Sequence, residues 1–371
     1  MKRLNDDRMR LVLVAFVAAI VLVSGSAKAD FTFGEPTNLG PTVNSLGVDS
    51  APCISADNLS LCFHSDRDGG FGLRDLWVTT QQTSERMPEG YWSTPTNLGP
   101  AVNSSVKDAQ PSFSTDSLTL FFHSDREGGY GDSDLWVIRR PTIFDSWATP
   151  MNLGPTVNSP YRDAAPSISA DNLNLYFLSD RPGGFGSNDI YMSSRATMNE
   201  PWGEPVNLGP VVNSSASDDH PSVSSDGLLL FFGSERPGGH GSADIWVTMR
   251  KTRNDPWKEP VNLGSTVNST TGESAANISA DGSLLYFGSN RAGGYGDLDL
   301  YQTPIIPIVD LNGDGIVDAL DMCIMVDHWG TDNSLCDIGP MPWGDGVVDV
   351  QDLIILAEHL FEQLPGRPTQ A

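Results

Sequence analysis

A mainly β chain, folded as a five-bladed propeller and followed by a small helical module, is what this 371-residue sequence predicts. Three observations predict it. One unit is written five times, each copy carries four strand-like segments without helical periodicity, and after Tyr301 the pattern changes to acidic loops followed by apolar helices.

The repeat comes first. Asn-Leu-Gly begins at Asn38, Asn97, Asn152, Asn207 and Asn262, spaced 59, 55, 55 and 55 residues apart. Each copy runs on through a Pro-Thr-Val-Asn-Ser-like stretch, an acidic residue, a Pro-Ser-Ile-Ser segment, a turn, an aromatic strand, a Gly-Gly-Phe-Gly-like loop and a Trp-x-x-Pro stretch. In the third copy strand one is Pro166–Ser169, the turn Ala170-Asp171-Asn172 uses residues whose side chains suit a tight hairpin, and strand two is Leu173–Leu178. Strand three is Asp189–Ser193 and strand four lies around Trp202–Leu208. Four antiparallel strands per unit fit a propeller blade, with an open solenoid as the alternative.

The ends of the repeat array predict closure. The fifth copy stops after Asp299-Leu300-Tyr301, and the missing fourth strand stands at the front of the array as Phe33-Gly34-Glu35-Pro36-Thr37-Asn38-Leu39-Gly40. Phe33 takes the place of Trp92, Trp147, Trp202 and Trp257. Pairing of this segment with Asp299–Thr303 joins first and last copies and leaves no open sheet edge between them.

These residues resemble a known family. The core F-x-S-[DEN]-R-x-G-G-x-G-x-x-D-[IL]-[YW], preceded by P-S-x-S-x-D, is similar to the WD40-like repeat of TolB-type β-propellers over about residues 31–305. The resemblance implies a binding platform with varied partners, and says little about which partner.

Composition narrows the function. The chain is 39% hydrophobic and 19% charged, enough apolar material for two or three domains and too much for wholesale disorder. Lys and Arg number 22 against 47 Asp and Glu, a net charge of −25, which repels phosphate backbones and excludes nucleic acid as the expected partner. Cations, calcium above all, are the partners such a surface attracts.

Residues 1–29 read as a secretory signal peptide. Lys2, Arg3, Arg8 and Arg10 precede the apolar run Leu11–Val23, and Ala27-Lys28-Ala29 supplies the cleavage site. The run is too short to span a bilayer, although a membrane anchor is the competing reading, and nothing after Asp30 could span one. The 17 basic and 45 acidic groups that remain give −28. A secreted, extracellular protein follows, with the periplasm as the other compartment. There disulfides persist, and the four cysteines form local pairs, Cys53 with Cys62 and Cys323 with Cys336; buried free thiols are the alternative. Cys53 and Cys62 flank the Asp57-Asn58 turn directly opposite each other, so a disulfide spans them if their pair is non-hydrogen-bonded.

Strand polarity puts two loop families on one face: the connection into strand one and the loop between strands two and three. That face carries Asp49, Asp108, Asp163, Asp218 and Glu273, with Arg67, Arg126, Arg181, Arg236 and Arg291 and the aromatic positions Phe71, Tyr130, Phe185, His240 and Tyr295. Two readings compete. Residues present in every blade serve as glue, each arginine meeting a carboxylate of its own or the next blade; or they form a shallow sugar- or peptide-binding face. Catalysis requires a departure from the repeat, and two carboxylates about 5–9.5 Å apart in a glycosidase. The departures are Asp218-Asp219-His220, Glu273, His64 and His123, which form no recognisable constellation; Asp219 and Glu273 are the weak acid candidates.

The C-terminal segment carries the most specific chemical signal. Pro304–Pro307 reads as a stiff linker. Asp310, Asn312, Asp314, Ile316 (through its carbonyl), Asp318 and Asp321 then occupy the oxygen-ligand positions of a calcium loop, with Gly315 at its sharp turn. A second, degenerate copy offers Asp345, Val347, Asp349 and Asp352; counting back places Met341 and Trp343 at its first two ligand positions, unless Asp337 substitutes across a bulge. Apolar helices follow at Met322–Trp329 and Leu353–Leu360. Paired Asp-ended loops with one helix each resemble a dockerin domain over residues 308–363, which implies bound Ca²⁺ and a cohesin-like partner in a polysaccharide-degrading assembly. A Cys323–Cys336 bridge would staple so small a module.

The boundaries expected are 1–29 signal peptide, 30–303 propeller, 304–307 linker, 308–363 dockerin-like domain and 364–371 tail. The function expected is an exported, calcium-binding recognition platform for carbohydrate or protein, docked to an extracellular partner through its tail. A glycoside hydrolase and a pure protein–protein scaffold are the alternatives.

Overall fold

The computed structural model describes residues 31–81, 91–307, 309–312, 316–331, 333, 336–338 and 347–362. The expected signal peptide and the ligand candidates Asp314 and Asp345 lie outside them.

Five antiparallel sheets follow one another along the chain. Blade three shows the pattern, with strands Asp163–Ile168, Asn174–Ser179, Asp189–Ser194 and Val206–Asn207. Strand four is only two residues long, far shorter than the Trp202–Leu208 segment expected. The hairpin turn is as the sequence suggests: Asn172 takes φ 60°, its N–H donates to Ser169 O at 2.8 Å, and Ser169 Oγ donates to Asp171.

Strand two is apolar almost throughout because both faces of a blade are covered by neighbouring blades. Phe63, Phe122, Phe177, Phe232 and Phe287, one per blade, are wholly buried. The core therefore lies between blades. Phe121, Leu135 and Val137 of blade two, for example, pack with Ile168, Leu175 and Phe177 of blade three.

The ring closes as predicted. Thr37 and Asn38 pair with Gln302 and Tyr301 in the fifth sheet. Phe33 stands opposite Ile305 just as Trp92 stands opposite Gln81 in blade one, so it does replace the repeated tryptophan. One finding corrects the linker. Strand three of blade five runs on as Asp299–Pro307, and Phe31–Phe33 pairs along its end, so residues 304–307 are sheet. A second partner strand was the missing element; the prolines lie on this outer part, where a lost N–H is tolerated.

Blades also join through backbone. Val48 bridges Leu298, Arg74 bridges Lys107, Ser133 bridges Arg162, Asn188 bridges Ser217 and Ala243 bridges Gly272, one parallel bridge per blade junction. The last glycine of each Gly-rich loop sits beneath the neighbouring crossover. A Cβ on Gly186 would lie 1.7 Å from Ala216 O, and one on Gly296 would lie 2.3 Å from Gly47 O.

The disulfide expectation is corrected: all four cysteines are free thiols. Cys53 and Cys62 are register partners as counted. Ser55 N–H donates to Ser60 O, and alternation along the ladder makes Cys53–Cys62 a hydrogen-bonded pair, the wrong kind for a bridge. Cys53 Sγ instead accepts the Phe113 N–H of blade two at 3.2 Å, and burial pushes its thiol up to about 12. Cys323 is exposed and Cys336 buried, and no bridge joins them.

Beyond the ring, helices Ala319–Asp327 and Val350–Glu358 begin three residues earlier than expected, because Asp318 and Asp349 cap them and Asp321 and Asp352 complete capping boxes. Val309, Leu311, Val317, Met325, Cys336, Ile338, Val348 and Leu356 form a separate small core. No helix among the described residues is long and apolar enough to cross a membrane.

Gly186→Ala forces the blade three–four junction apart. It should cost on the order of 3 kcal/mol, read as a lowered midpoint in urea unfolding, whereas Gly203→Ala, whose added Cβ meets only Ser194 O at 3.1 Å, should cost much less.

Candidate functional site at the channel mouth

The repeated acid–arginine pairs are internal to the blades. In each, the arginine meets the carboxylate of its own strand one: Arg67–Asp49, Arg126–Asp108, Arg181–Asp163, Arg236–Asp218 and Arg291–Glu273. The last three are 2.5, 2.6 and 3.2 Å long. The same arginine donates from Nε to the strand-two serine and from its terminal nitrogen to the carbonyl of Val43, Val102, Val157, Val212 or Val267. All five carboxylates are fully buried. These ten residues, expected on a ligand-binding face, lie on the predicted side of the ring but have no carboxylate oxygen to offer a ligand. Glu273, one of two weak acid candidates, is held by Ser269, Ser289 and Arg291.

The loop aromatics fare differently. Phe71, Tyr130, Phe185 and Tyr295 are each close to half exposed, on the same face. Their backbone N–H groups donate to the first aspartate of strand three, as Phe185 does to Asp189 at 2.6 Å, so the loops are pinned while the rings remain available.

On that face, at the mouth of the central channel, lies a cavity of about 240 Å³. Strand one builds it. Every blade has a bulge there, with a non-glycine residue in left-handed conformation: Ala51, Gln110, Ala165, His220 and Ala275, at φ 49–56°. The bulge turns these residues toward the channel. Pro52, Pro111, Pro166 and Pro221 line a smaller space of about 30 Å³ that shares Gln110 and His220 with the cavity.

The departures from the repeat that the sequence left scattered come together here. His64 and His123 from strand two and His220 from the bulge line the cavity, with Arg74, Lys107, Arg162 and Gln110. Asp219 stands beside it, its Oδ1 2.7 Å from His220 Nδ1. The mouth is lopsided. Blades one to three contribute the cations, while the matching bridge positions Ser217, Ala243 and Gly272 are small. Sequence reasoning missed Arg74, Lys107, Arg162 and Gln110. Column-by-column comparison of the copies would have found them, since the other copies carry no charged residue in the columns of Arg74 or of Lys107 and Arg162, and three of them carry alanine in the column of Gln110.

The electrostatics are unusual for so acidic a chain. Among the described residues no carboxylate forms an ion pair with Arg74, Lys107 or Arg162. Burial lowers the Lys107 ammonium below its ordinary range; Asp125 pulls the other way, and Arg162 and then Arg74 add smaller repulsions. His64 and His123 are pushed well below the usual imidazole value. Burial is the first cause, followed by Arg74, His220 and Lys107 for His64 and by Lys107, Arg162, His64 and His220 for His123. Both ring nitrogens of His123, Nδ1 of His64 and Oε1 of Gln110 are buried without a hydrogen-bond partner. No three His, Cys, Asp or Glu side chains among the described residues converge closely enough to hold a metal, and three cations beside the histidines repel one.

In the C-terminal module the structure places the described loop residues consistently. Asp321 Oδ1 accepts from Leu311 N at 2.7 Å and Asn312 N at 3.1 Å, and Asp352 Oδ1 accepts from Ile338 N at 2.6 Å. Leu311 therefore corresponds to Ile338, and Asp310 to Asp337. Asp310 and Asp321 are both buried.

The sequence matches no protein-family model and no curated protein. In fold, it is similar to the catalytic domain of a Coprinopsis cinerea GH62 α-L-arabinofuranosidase: TM-score 0.52, 14% identity, covering 75% of this chain and 98% of that one. The Podospora anserina α-L-arabinofuranosidase solved with cellotriose gives TM-score 0.49 at 14% identity, covering 75% and 98%. TolB from Acinetobacter baumannii gives 0.42 at 14% identity, covering 70% of this chain and 54% of that one, so the chain spans about half of that relative. The likeness is one of fold.

The buried histidines set a pH dependence. Unfolding restores their ordinary pKa near 6.5, so below that pH the unfolded chain binds protons that the folded chain does not, and stability falls as pH falls. Melting temperatures should decline from pH 7 to pH 5, and His123→Leu, which copies Leu178 of blade three, should flatten that decline.

Proposed function

We propose that the protein is a recognition module whose propeller binds a saccharide at the channel mouth without hydrolysing it. One observation carries the reading: the side chains that break the fivefold repeat gather around one cavity on the face that also displays four half-exposed aromatic rings. Aromatic rings beside a polar pocket suit a sugar, whose faces stack and whose hydroxyls bond. The arabinofuranosidase domain of similar fold makes a carbohydrate ligand consistent with this architecture. Hydrolysis would need a second carboxylate, and Glu273 is committed to Arg291.

The C-terminal module is proposed to be a dockerin-like calcium module that joins the exported protein to a cohesin-like extracellular partner. Its donor set fits calcium: Asp310, Asn312, Asp314, Asp318, Asp321 and the Ile316 carbonyl are hard oxygens, and a bound cation would balance two buried carboxylates. Asp337, matched to Asp310 by its position before Ile338, is the first ligand of a longer second loop. Calcium supplies folding energy to such loops when bound.

EDTA should melt the C-terminal helices and leave the β signal of the propeller in circular dichroism, and Asp314→Ala should weaken calcium binding at least tenfold by calorimetry. Unchanged affinity in that variant removes the calcium assignment. For the propeller, a glycan array with the full chain should return at least one saccharide, and Asp219→Asn should release no less product than the parent because neither releases any; reducing sugar from the parent protein would reinstate the hydrolase.

A further inference from the structure

We propose that the channel-mouth cavity binds the anionic group, a carboxylate or a sulfate ester, of an acidic saccharide. This rests on the recognition reading above and adds the chemical class of its ligand.

Three cations line one wall of the cavity, and among the described residues none has an ion-pair partner, in a chain that carries 47 acidic residues against 22 basic ones. Arginines and lysines in so acidic a protein find carboxylates readily, as the five blade pairs do. Arg74, Lys107 and Arg162 stand together, with Asp125 pulling on Lys107 without forming an ion pair, and a bound anion offsets the repulsion among them. Arg74 and Lys107 are moreover backbone bridge partners, as are Ser133 and Arg162, so the ring closure itself holds these positions at the mouth.

Buried, unpartnered polar atoms point the same way. His123 is fully buried and lines the cavity with neither ring nitrogen bonded; a neutral imidazole there offers one N–H to an anion. Gln110 Oε1, also unbonded, accepts from a hydroxyl. An anionic group on the cationic wall with a hydroxyl reaching Gln110 describes a sugar acid or sugar sulfate better than a bare inorganic ion. Size agrees: about 240 Å³ is below the roughly 300–1,000 Å³ of pockets for drug-sized ligands, and suits one charged ring with the rest of a chain lying across the aromatic rim.

The test uses the full chain in calorimetric titrations at pH 7 with an oligogalacturonate, its methyl ester, and a sulfated galactan oligomer. The expected result is binding of the oligogalacturonate or the sulfated oligomer, whichever is tighter naming the anion, at least tenfold weaker binding of the ester, and weakening by added NaCl. Lys107→Gln and Arg162→Gln should each weaken binding at least tenfold, Lys107→Arg should retain it, and both glutamine variants should melt no lower than the parent in the absence of saccharide, since they relieve repulsion. Equal affinity for acid and ester, or unchanged affinity in the glutamine variants, overturns the anion assignment while leaving saccharide recognition standing. Failure of every saccharide, charged or neutral, overturns both. Melting several degrees below the parent in both glutamine variants shows that the cations support the fold, and overturns the proposal too.

Discussion

The arginine at the end of strand two is the hub on which each blade depends. Arg181 ties three separate pieces of chain: Val157 O in the incoming crossover, Asp163 at the start of strand one, and Ser179 at the end of strand two. It also lies over Phe177 and Tyr191, 5.4 and 5.0 Å from their ring centres, so its charge is covered by aromatic surface as well as by the carboxylate. Asp163 is saturated in turn by Ser159 N and Oγ. A buried ion pair is worth having only when its remaining donors and acceptors are satisfied, and here they are.

Asparagines lock the outgoing side of the same blade. Asn207 donates to Asp189 and accepts from Gly209 N and Asn213 Nδ2, while Asn213 exchanges hydrogen bonds with both N–H and C=O of Ile190. The recurring Asn-Leu-Gly…Asn-Ser string is thus a clamp between the crossover and strand three, and its repetition needs no ligand to explain it. Specificity must reside in positions the clamp does not use. Those positions are the neighbours of the clamped residues: Lys107 precedes Asp108, Arg162 precedes Asp163, and Asp219 follows Asp218. Side chains alternate along a strand, so the residue next to a buried anchor faces the other way.

That alternation explains where reading the residues succeeded and where it stopped. The crossovers and the Gly-rich loops do share one face, because strand polarity puts them together whatever the side chains are. The residues selected on it were the repeated ones, and repetition marks packing. His64, His123 and Asp219-His220 were visible as departures, but they are far apart in sequence and only the bulge and the ring geometry bring them to one cavity. The sheet character of residues 304–307 escaped because pairing there depends on Phe31–Phe33 from the other end of the chain. The cysteine register was countable from the turn, yet whether Cys53 and Cys62 face as a hydrogen-bonded pair depended on which bonds the hairpin makes. In the tail, Asp337 could be assigned its place only after Ile338 was seen bonded to Asp352.

The chain's own order therefore determined the number of blades, the strands within each, the ring closure and the acidic loop ahead of the first tail helix. These follow from local period, turn chemistry and the displaced fourth strand, all of which act over short stretches or repeat in phase. Tertiary structure alone decided that the acid–arginine pairs are internal, that the cysteines remain apart, and that three unpaired cations and three histidines share one cavity. Those outcomes depend on burial and on which side chains meet across blades, quantities that no linear spacing encodes.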